Sequence, residues 1–406
     1  MVSGCAVRRP PPIGEGGRPF APDAAERALW AKAEREETAI VARSRLYHDR
    51  LLDEYLSRLG ARLVPPRVTA AGGPMFTFTV LSDPTLNVFA MPNGRVYVHT
   101  GLLSRLENEA QLATILAHEI AHVTYRHALS VVRDAGTMET AGAGGRADTG
   151  IVGGRRHGRE LGGLTLGRTA SVIFGQGLEL AATASVTGYG RDFEREADGE
   201  GMRALVTAGY DPKEAPRAFQ ALGGDIDDRG RLETFVLGNR ARLDERITST
   251  ETLLRTTFAM EAAQPHTIKD TEEFEQRMRP VVRDNAQLDI RAGRFALAER
   301  QLDRVLAVAP GDPIAHVYHG DFYRLQAQRA ANAAEASELS RKARASYERA
   351  AALDPNYADP YRQLGLLYYE EKDNARAREA FRRYLALNPG AADAARIRAY
   401  VAELER

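Results

Sequence analysis

The 406-residue sequence predicts a mainly α fold with a small β-sheet: a mixed domain followed by an α-solenoid. Three observations predict it. Apolar residues recur at helical spacing along most of the chain, and only Phe76 to His99 alternates as strands do. One apolar helical stretch carries His-Glu-x-x-His in its middle. The last third repeats a helix-pair pattern at a fixed period.

Composition narrows the function classes. Basic and acidic residues number 55 each, so the formal charge is zero, and no basic stripe stands out to bind nucleic acid. Hydrophobic residues make up 44%, enough for a buried core. No apolar run reaches the roughly 18 residues of a transmembrane helix.

The stretch Leu112 to Val123 organises the chain. On a helix, residues i and i+4 are neighbours, so His118 and His122 can turn their rings to one ion. Glu119 projects beside that ion, placed to take a proton from water. Two histidines, one further protein ligand and an open position form the zinc arrangement used for hydrolysis. Asn108 and Gln111 are expected to cap the helix at N-cap and N3. A purely structural helix would account for the apolar flanks, but not for two histidines and a glutamate at ligand spacing within them.

The other elements follow in chain order. Val2-Ser3-Gly4-Cys5 resembles the end of a bacterial lipoprotein signal, without the apolar stretch that precedes such a cysteine. Cys5 is the candidate lipidation site, and Arg8 to Pro22, rich in proline and glycine, reads as a disordered tether. As the single cysteine, Cys5 allows no intrachain disulfide. Asp23 to Leu63 reads as a helical pair with Asp23 as N-cap and Pro65-Pro66 as a stop. Phe76 to Leu81 reads as a strand, and Asn87 to His99 as two more around Pro92-Asn93-Gly94. Pro92 lacks an N–H, which puts the first of these at a sheet edge. There Val88, Phe89, Ala90 and Met91 could pair with an extended peptide; an ordinary hairpin is the equal alternative.

Gly136 to Gly190 is glycine-rich and too long for a structureless connection. A lid or plug, a membrane-touching hairpin and a plain disordered insertion are its three readings. Beyond it, Glu194 and Asp198 stand i, i+4 on one helix face, while Glu196 points elsewhere. A carboxylate from this helix is the expected third ligand, with Glu194 and Glu196 as competitors and Asp198 placed to fix a ligand imidazole. His127 reads as a helix-end or core histidine, and His157 has no partner spacing. Gln264 to Asp270 reads as the interdomain connection.

In the C-terminal third, Tyr361, Leu364, Gly365, Tyr368, Ala377, Phe381 and Pro389 stand at tetratricopeptide-repeat spacings. Gly320, Tyr323, Ala343, Tyr347, Ala350 and Pro355 form the preceding copy, provided that Ala327 to Ser340 holds an insertion lengthening the helix pair. Gly293, Ala298, Leu302, Val305 and Pro310 form an earlier one, and Ala391 to Arg406 a capping helix. Stacked units of this kind bury a shared core and offer a surface to peptides or proteins.

With these motifs in hand the chain resembles metallopeptidase family forty-eight, which includes the HtpX heat-shock peptidases and the CAAX prenyl proteases. It is most similar to the periplasmic BepA type, which joins the peptidase to tetratricopeptide repeats. The resemblance runs from Asp23 to the C-terminus. It rests on Asn87-Val88-Phe89-Ala90-Met91-Pro92, His118-Glu119-Ile120-Ala121-His122, Glu194-Arg195-Glu196-Ala197-Asp198 and the repeats. It implies a gluzincin-type domain over residues 23–263, a repeat domain over 271–406 and one Zn2+ per chain. His118, His122 and Glu194 become the zinc ligands, Glu119 the general base, Asp198 the partner of a ligand histidine, and Val88 to Met91 the substrate edge. It further implies cleavage of unfolded or misassembled envelope proteins in the periplasm. Protein substrates, outer-membrane assembly machinery bound through the repeats, and a lipid anchor on Cys5 go with that reading. A scaffold acting through the repeats, with an idle or gated site, is the alternative. In one respect the sequence departs from the family. Counting back from Glu245-Arg246-Ile247, Arg240 stands where the family often has a histidine near the metal. Arginine cannot deprotonate to ligate a metal, so Arg240 is a candidate cation for developing negative charge, or a surface charge.

Overall fold

A computed structural model describes residues 9–134, 189–223, 240–265 and 267–406. Cys5, His157, nearly all of Gly136 to Gly190 and the side chain of Arg240 lie outside the described residues. The chain divides into two compact units, Met1–Met278 and Arg279–Arg406.

The first unit begins with a departure from expectation. The Pro/Gly-rich segment, expected as a free tether, lies against the domain from residue 9 onward. Ile13 is buried; its N–H bonds Thr124 O at 2.9 Å, and its carbonyl accepts from Arg67 Nη1 at 2.9 Å. Gly14 has a φ of +75°, and a Cβ there would stand 2.2 Å from Arg67 O. Glycine thus serves here to bring the backbone close, not to keep it loose.

Helices α1 (Ala24–Arg43) and α2 (Arg50–Leu63) follow. Asp23 caps the first by accepting from the Glu26 N–H at 2.9 Å, and Asp49 caps the second. The Pro65-Pro66 pair ends α2 and then starts the short α3 (Pro66–Ala70), since proline is tolerated in a first turn.

Strands β1 (Thr77–Leu81), β2 (Val88–Ala90) and β3 (Arg95–His99) form one sheet in the order β1-β3-β2. β1 pairs with β3 in parallel, Thr77 opposite Arg95, and β2 pairs with β3 antiparallel, Phe89 opposite Tyr97. β2 is therefore an edge strand, as Pro92 requires. Met91 N–H bonds Arg95 O at 2.7 Å, and His99 N–H bonds Asn87 O at 3.0 Å. By the antiparallel alternation, Val88 and Ala90 between them turn their own N–H and C=O groups away from β3.

After α4 (Thr100–Leu103) comes α5 (Glu109–Thr124), with all sixteen residues buried. Its start is tied down by side chains. Asn108 Oδ1 accepts from Gln111 N–H at 3.0 Å, and Gln111 Oε1 accepts from Glu107 N–H at 2.9 Å. Asn108 and Gln111 are thus the expected capping pair. Both also donate to Glu214 Oε2, at 2.9 and 3.0 Å. Glu109 accepts from Tyr55 at 2.9 Å, from Tyr210 at 2.6 Å and from the Thr271 hydroxyl. A carboxylate in the first turn also suits the helix dipole.

The unit continues with α6 (Arg191–Thr207), α7 (Glu214–Gly223), α8 (Arg240–Thr256) and α9 (Ala259–Ala262). α6 lies along α5, and Gly201 lets the two backbones meet: a Cβ there would stand 3.1 Å from His118 N. α10 (Glu272–Arg291) runs across the division between the units.

The second unit pairs the C-terminal part of α10 with α11 (Phe295–Val308), α12 (Pro313–Ala327) with α13 (Ala333–Leu353), and α14 (Ala358–Glu370) with α15 (Asn374–Leu387), and it ends on α16 (Ala394–Glu403). One buried cluster joins Val282, Ile290, Ala298, Leu302, Val305 and Phe322. Another joins Ala343, Tyr347, Leu364, Tyr368, Ala377 and Phe381. The expected insertion lengthens α13 to 21 residues, whose first two turns take up Ala333 to Ser340. Glycines set the close helix approaches: a Cβ on Gly320 would meet Tyr347 Cε1 at 2.3 Å, and one on Gly365 would meet Phe381 Cδ1 at 2.4 Å. Among the described residues no helix is long and apolar enough to cross a membrane.

Gly365→Ala should destabilise the second unit by about 1–3 kcal/mol, the usual cost of overpacking. Thermal unfolding followed by circular dichroism checks this.

Candidate metal centre

His118 and His122 face the same way from adjacent turns of α5, their Nε2 atoms 2.9 Å apart. Glu194, in the first turn of α6, completes a triangle. Its Oε2 lies 3.4 Å from His118 Nε2, and its Oε1 lies 3.8 Å from His122 Nε2. These are the three donors that among the described residues fall within ligand range of one point. A tetrahedral ion with bonds of about 2.0–2.1 Å sets its donors roughly 3.3 Å apart, and the three separations straddle that value. Glu194 Oε2 and Glu119 Oε1 are buried without a hydrogen-bond partner among the described residues. The donor set and the orphaned oxygens fit a divalent cation.

Glu194 is positioned from its own helix, where its Oε1 accepts the Tyr189 N–H at 3.0 Å. Its competitor Glu196 lies elsewhere, with its Oε2 3.2 Å from His127 Nε2. His127 in turn sets its Nδ1 2.8 Å from His122 Nδ1. The ring of Tyr189 stacks on His122, centroids 4.2 Å apart and planes inclined at 17°. His127 is a core histidine, as expected, but one bonded to a site residue.

Behind His118 stands Asp198, its Oδ1 3.0 Å from His118 Nδ1. Arg246 of α8 clamps that carboxylate, with Nη2 at 2.7 Å and Nε at 3.2 and 3.3 Å. The guanidinium also lies 3.7 Å from Glu194 Oε2, and it sits over the Phe219 ring at 4.1 Å from the centroid. Arg246 Nη2 is 2.9 Å from His118 Nδ1 as well. Only one of the two can bond that nitrogen. With Nε2 turned to the donor triangle, Nδ1 carries the hydrogen and donates to Asp198.

The sequence reading missed Arg246 and looked to Arg240, six residues earlier. A signal was present: Leu243, Arg246 and Thr250 stand at i, i+3 and i+7 and are all buried, so the arginine interrupts a core stripe.

Burial governs the charges. It pushes the Glu119 carboxyl up to about 7, against the nearby His118 charge and the Ala90 amide. Burial would also raise Asp198 and Glu194, but Arg246 and His118 hold both below the usual carboxylate range. For His118, burial and the Arg246 charge push down, and the neighbouring Asp198 and Glu194 carboxylates outweigh them, lifting it to about 9. Val88, Phe89, Ala90 and Met91 are all buried. A shallow recess lies beside β2, lined by Leu29, Trp30, Ala90, Pro92, His122 and Tyr189 among others.

Arg246→Met should cost about 3–5 kcal/mol, because it strands buried carboxylates without their counter-ion; urea unfolding measures this. The depressed carboxylates contribute stability above their unfolded values and lose it as pH falls below about 4. The variant should therefore show a shallower loss of stability on acidification.

The comparisons with known proteins cover the part of the chain that holds this site. A beta-barrel assembly-enhancing protease of Yersinia pestis is 30% identical over 178 residues, and that of Escherichia coli K12 is 29% identical over 189; each match covers 44% of this chain and 34% of the relative. The mitochondrial metalloendopeptidase OMA1 of Arabidopsis thaliana is 28% identical over 156 residues, covering 36% of this chain and 25% of that protein. The chain thus spans about a third or less of the length of these relatives. Residues 330–402 match the tetratricopeptide repeat. Residues 50–269, more than half of the chain and including every residue of the donor triangle, match Peptidase family M48, and the chain belongs to that family.

Proposed function

We propose that this chain is a zinc metalloendopeptidase. The observation that carries the reading is the triangle of His118 Nε2, His122 Nε2 and a Glu194 carboxylate oxygen, with Glu119 beside it on α5. Those three side chains would hold one zinc ion. When bound, zinc would supply Lewis acidity toward a scissile carbonyl and lower the pKa of water.

The rest is done by the chain's own groups. Glu119, beside the donor triangle on α5, would take the proton from the attacking water and return it to the leaving amine. Asp198 accepts from His118 Nδ1–H and fixes that ring, and Arg246 keeps Asp198 ionised. The outward N–H and C=O groups of Val88 and the outward C=O of Ala90 would align an extended peptide, with Phe89 and Met91 keeping the strand in register. Arg240, whose side chain lies outside the described residues, stays the candidate cation for developing negative charge, while Arg246 would hold Asp198.

Residues 23–263 would form the catalytic domain, and the repeats from 271 onward would recruit protein substrates or partners, outer-membrane assembly machinery among them. Action on unfolded or misassembled envelope proteins in the periplasm, with an anchor at Cys5, extends the family resemblance. One observation favours a second reading, a scaffold whose peptidase site is gated: both Glu119 and the β2 edge are buried. Casein cleavage with and without a chelator separates the two. Chelator-sensitive turnover supports the peptidase, and none in zinc-loaded protein supports the scaffold.

Glu194→Ala should lose zinc by metal analysis, while Glu196→Ala should still bind one zinc at saturating metal; the reverse pattern would overturn the ligand assignment. Glu119→Gln should keep zinc and fold but lose roughly 10²–10⁴-fold in peptide turnover, since an amide is no base.

A further inference from the structure

The two histidines of the triangle are backed differently. His118 leans on a carboxylate that is itself buried. Among the described residues His122 has no carboxylate directly behind it; its Nδ1 faces His127 Nδ1 at 2.8 Å. Two ring nitrogens at that separation need one hydrogen between them, since two lone pairs or two N–H groups would repel. If His122 Nε2 serves a metal, its hydrogen must sit on Nδ1 and be donated. His127 Nδ1 is then the acceptor, and the His127 hydrogen sits on Nε2. That nitrogen lies 3.2 Å from Glu196 Oε2, an oxygen that can only accept while ionised. Every donor and acceptor along the line is therefore settled by one requirement at its inner end. Stacking holds the rings in place, Tyr189 on His122 at 4.2 Å and Phe193 against His127 at 4.7 Å. The outer end reaches the surface, where Glu196 is part-exposed and Arg9 Nη1 stands 3.6 Å from its Oε2.

We propose that His127 and Glu196 are positioning residues which, as a relay from the surface, fix the tautomer and orientation of His122 for metal binding. This rests on the zinc reading above. A carboxylate reached through a second imidazole does for His122 what Asp198 does for His118, and outer partners of this kind are worth roughly 10–100-fold in metal affinity.

The test measures zinc affinity by competition with a chromophoric chelator in the full chain, together with the visible spectrum of the Co(II)-substituted protein. His127→Leu removes the acceptor; His127→Asn keeps an amide oxygen near the place of Nδ1. Zinc affinity should fall roughly 10–100-fold in His127→Leu, with a changed Co(II) spectrum, and stay within about threefold of wild type in His127→Asn. Glu196→Gln, at a part-exposed position, guards against misfolding of the core variant and should weaken zinc by a smaller factor. Equal affinity in wild type, His127→Leu and Glu196→Gln would overturn the relay while leaving the zinc site standing. So would equal weakening in His127→Leu and His127→Asn, which would show that ring packing alone matters. Wild-type protein that binds no zinc would overturn the zinc reading and the relay together.

Discussion

Everything in the first unit answers to the burial of α5. A helix buried on all sides is ordinarily apolar throughout, yet α5 carries Glu109, Gln111, His118, Glu119 and His122 into the interior. Each polar group there must find a partner or incur the cost of desolvation. At the N-terminal end the partners come from α2, from the Tyr210 turn, from Glu214 at the start of α7 and from Thr271. In the middle they come from α6, with Arg246 of α8 holding the Asp198 carboxylate behind His118. The surrounding elements thus supply hydrogen bonds to this helix as well as apolar cover.

The charge balance points the same way. Glu119, Glu194 and Asp198 are three carboxyls around one guanidinium, that of Arg246. Fully ionised, they leave an excess of two negative charges in a region sealed from water, which a divalent cation would cancel. The shifts of the neighbouring groups run in the same sense, Glu119 toward its neutral form and His118 toward its charged form. Arg246 is the fixed part of this balance, since a guanidinium keeps its charge at any working pH.

What was legible in the sequence was local. The α5 motif, its Asn108–Gln111 cap, the edge position of β2, the shared face of Glu194 and Asp198 and the small residues of the repeats all follow from spacings within one or two turns. What escaped depended on distant partners. Arg246 meets Asp198 across 48 positions, and spacing marks it only as an arginine in a core stripe. His127 looked like a core histidine and is one, but its bond to His122 needs a change of chain direction at Arg126, where φ is +59°. The segment before Pro22 was misjudged because proline and glycine suit a close-fitting turn as well as a loose chain. The parallel pairing of β1 with β3 has no counterpart in alternation, which reveals strands but not their neighbours.

Gly201 has neither donor nor charge, yet it sets how near α6 comes to His118. Glu194 lies on the same helix, two turns earlier, so the spacing between the helices and the reach of the third donor are mechanically linked. The grip on a metal could therefore drift during divergence with every chemical residue intact, through a single methyl group added where the two backbones touch. Relatives with the same motifs need not share the same metal affinity, and a search confined to ligand residues would overlook the cause.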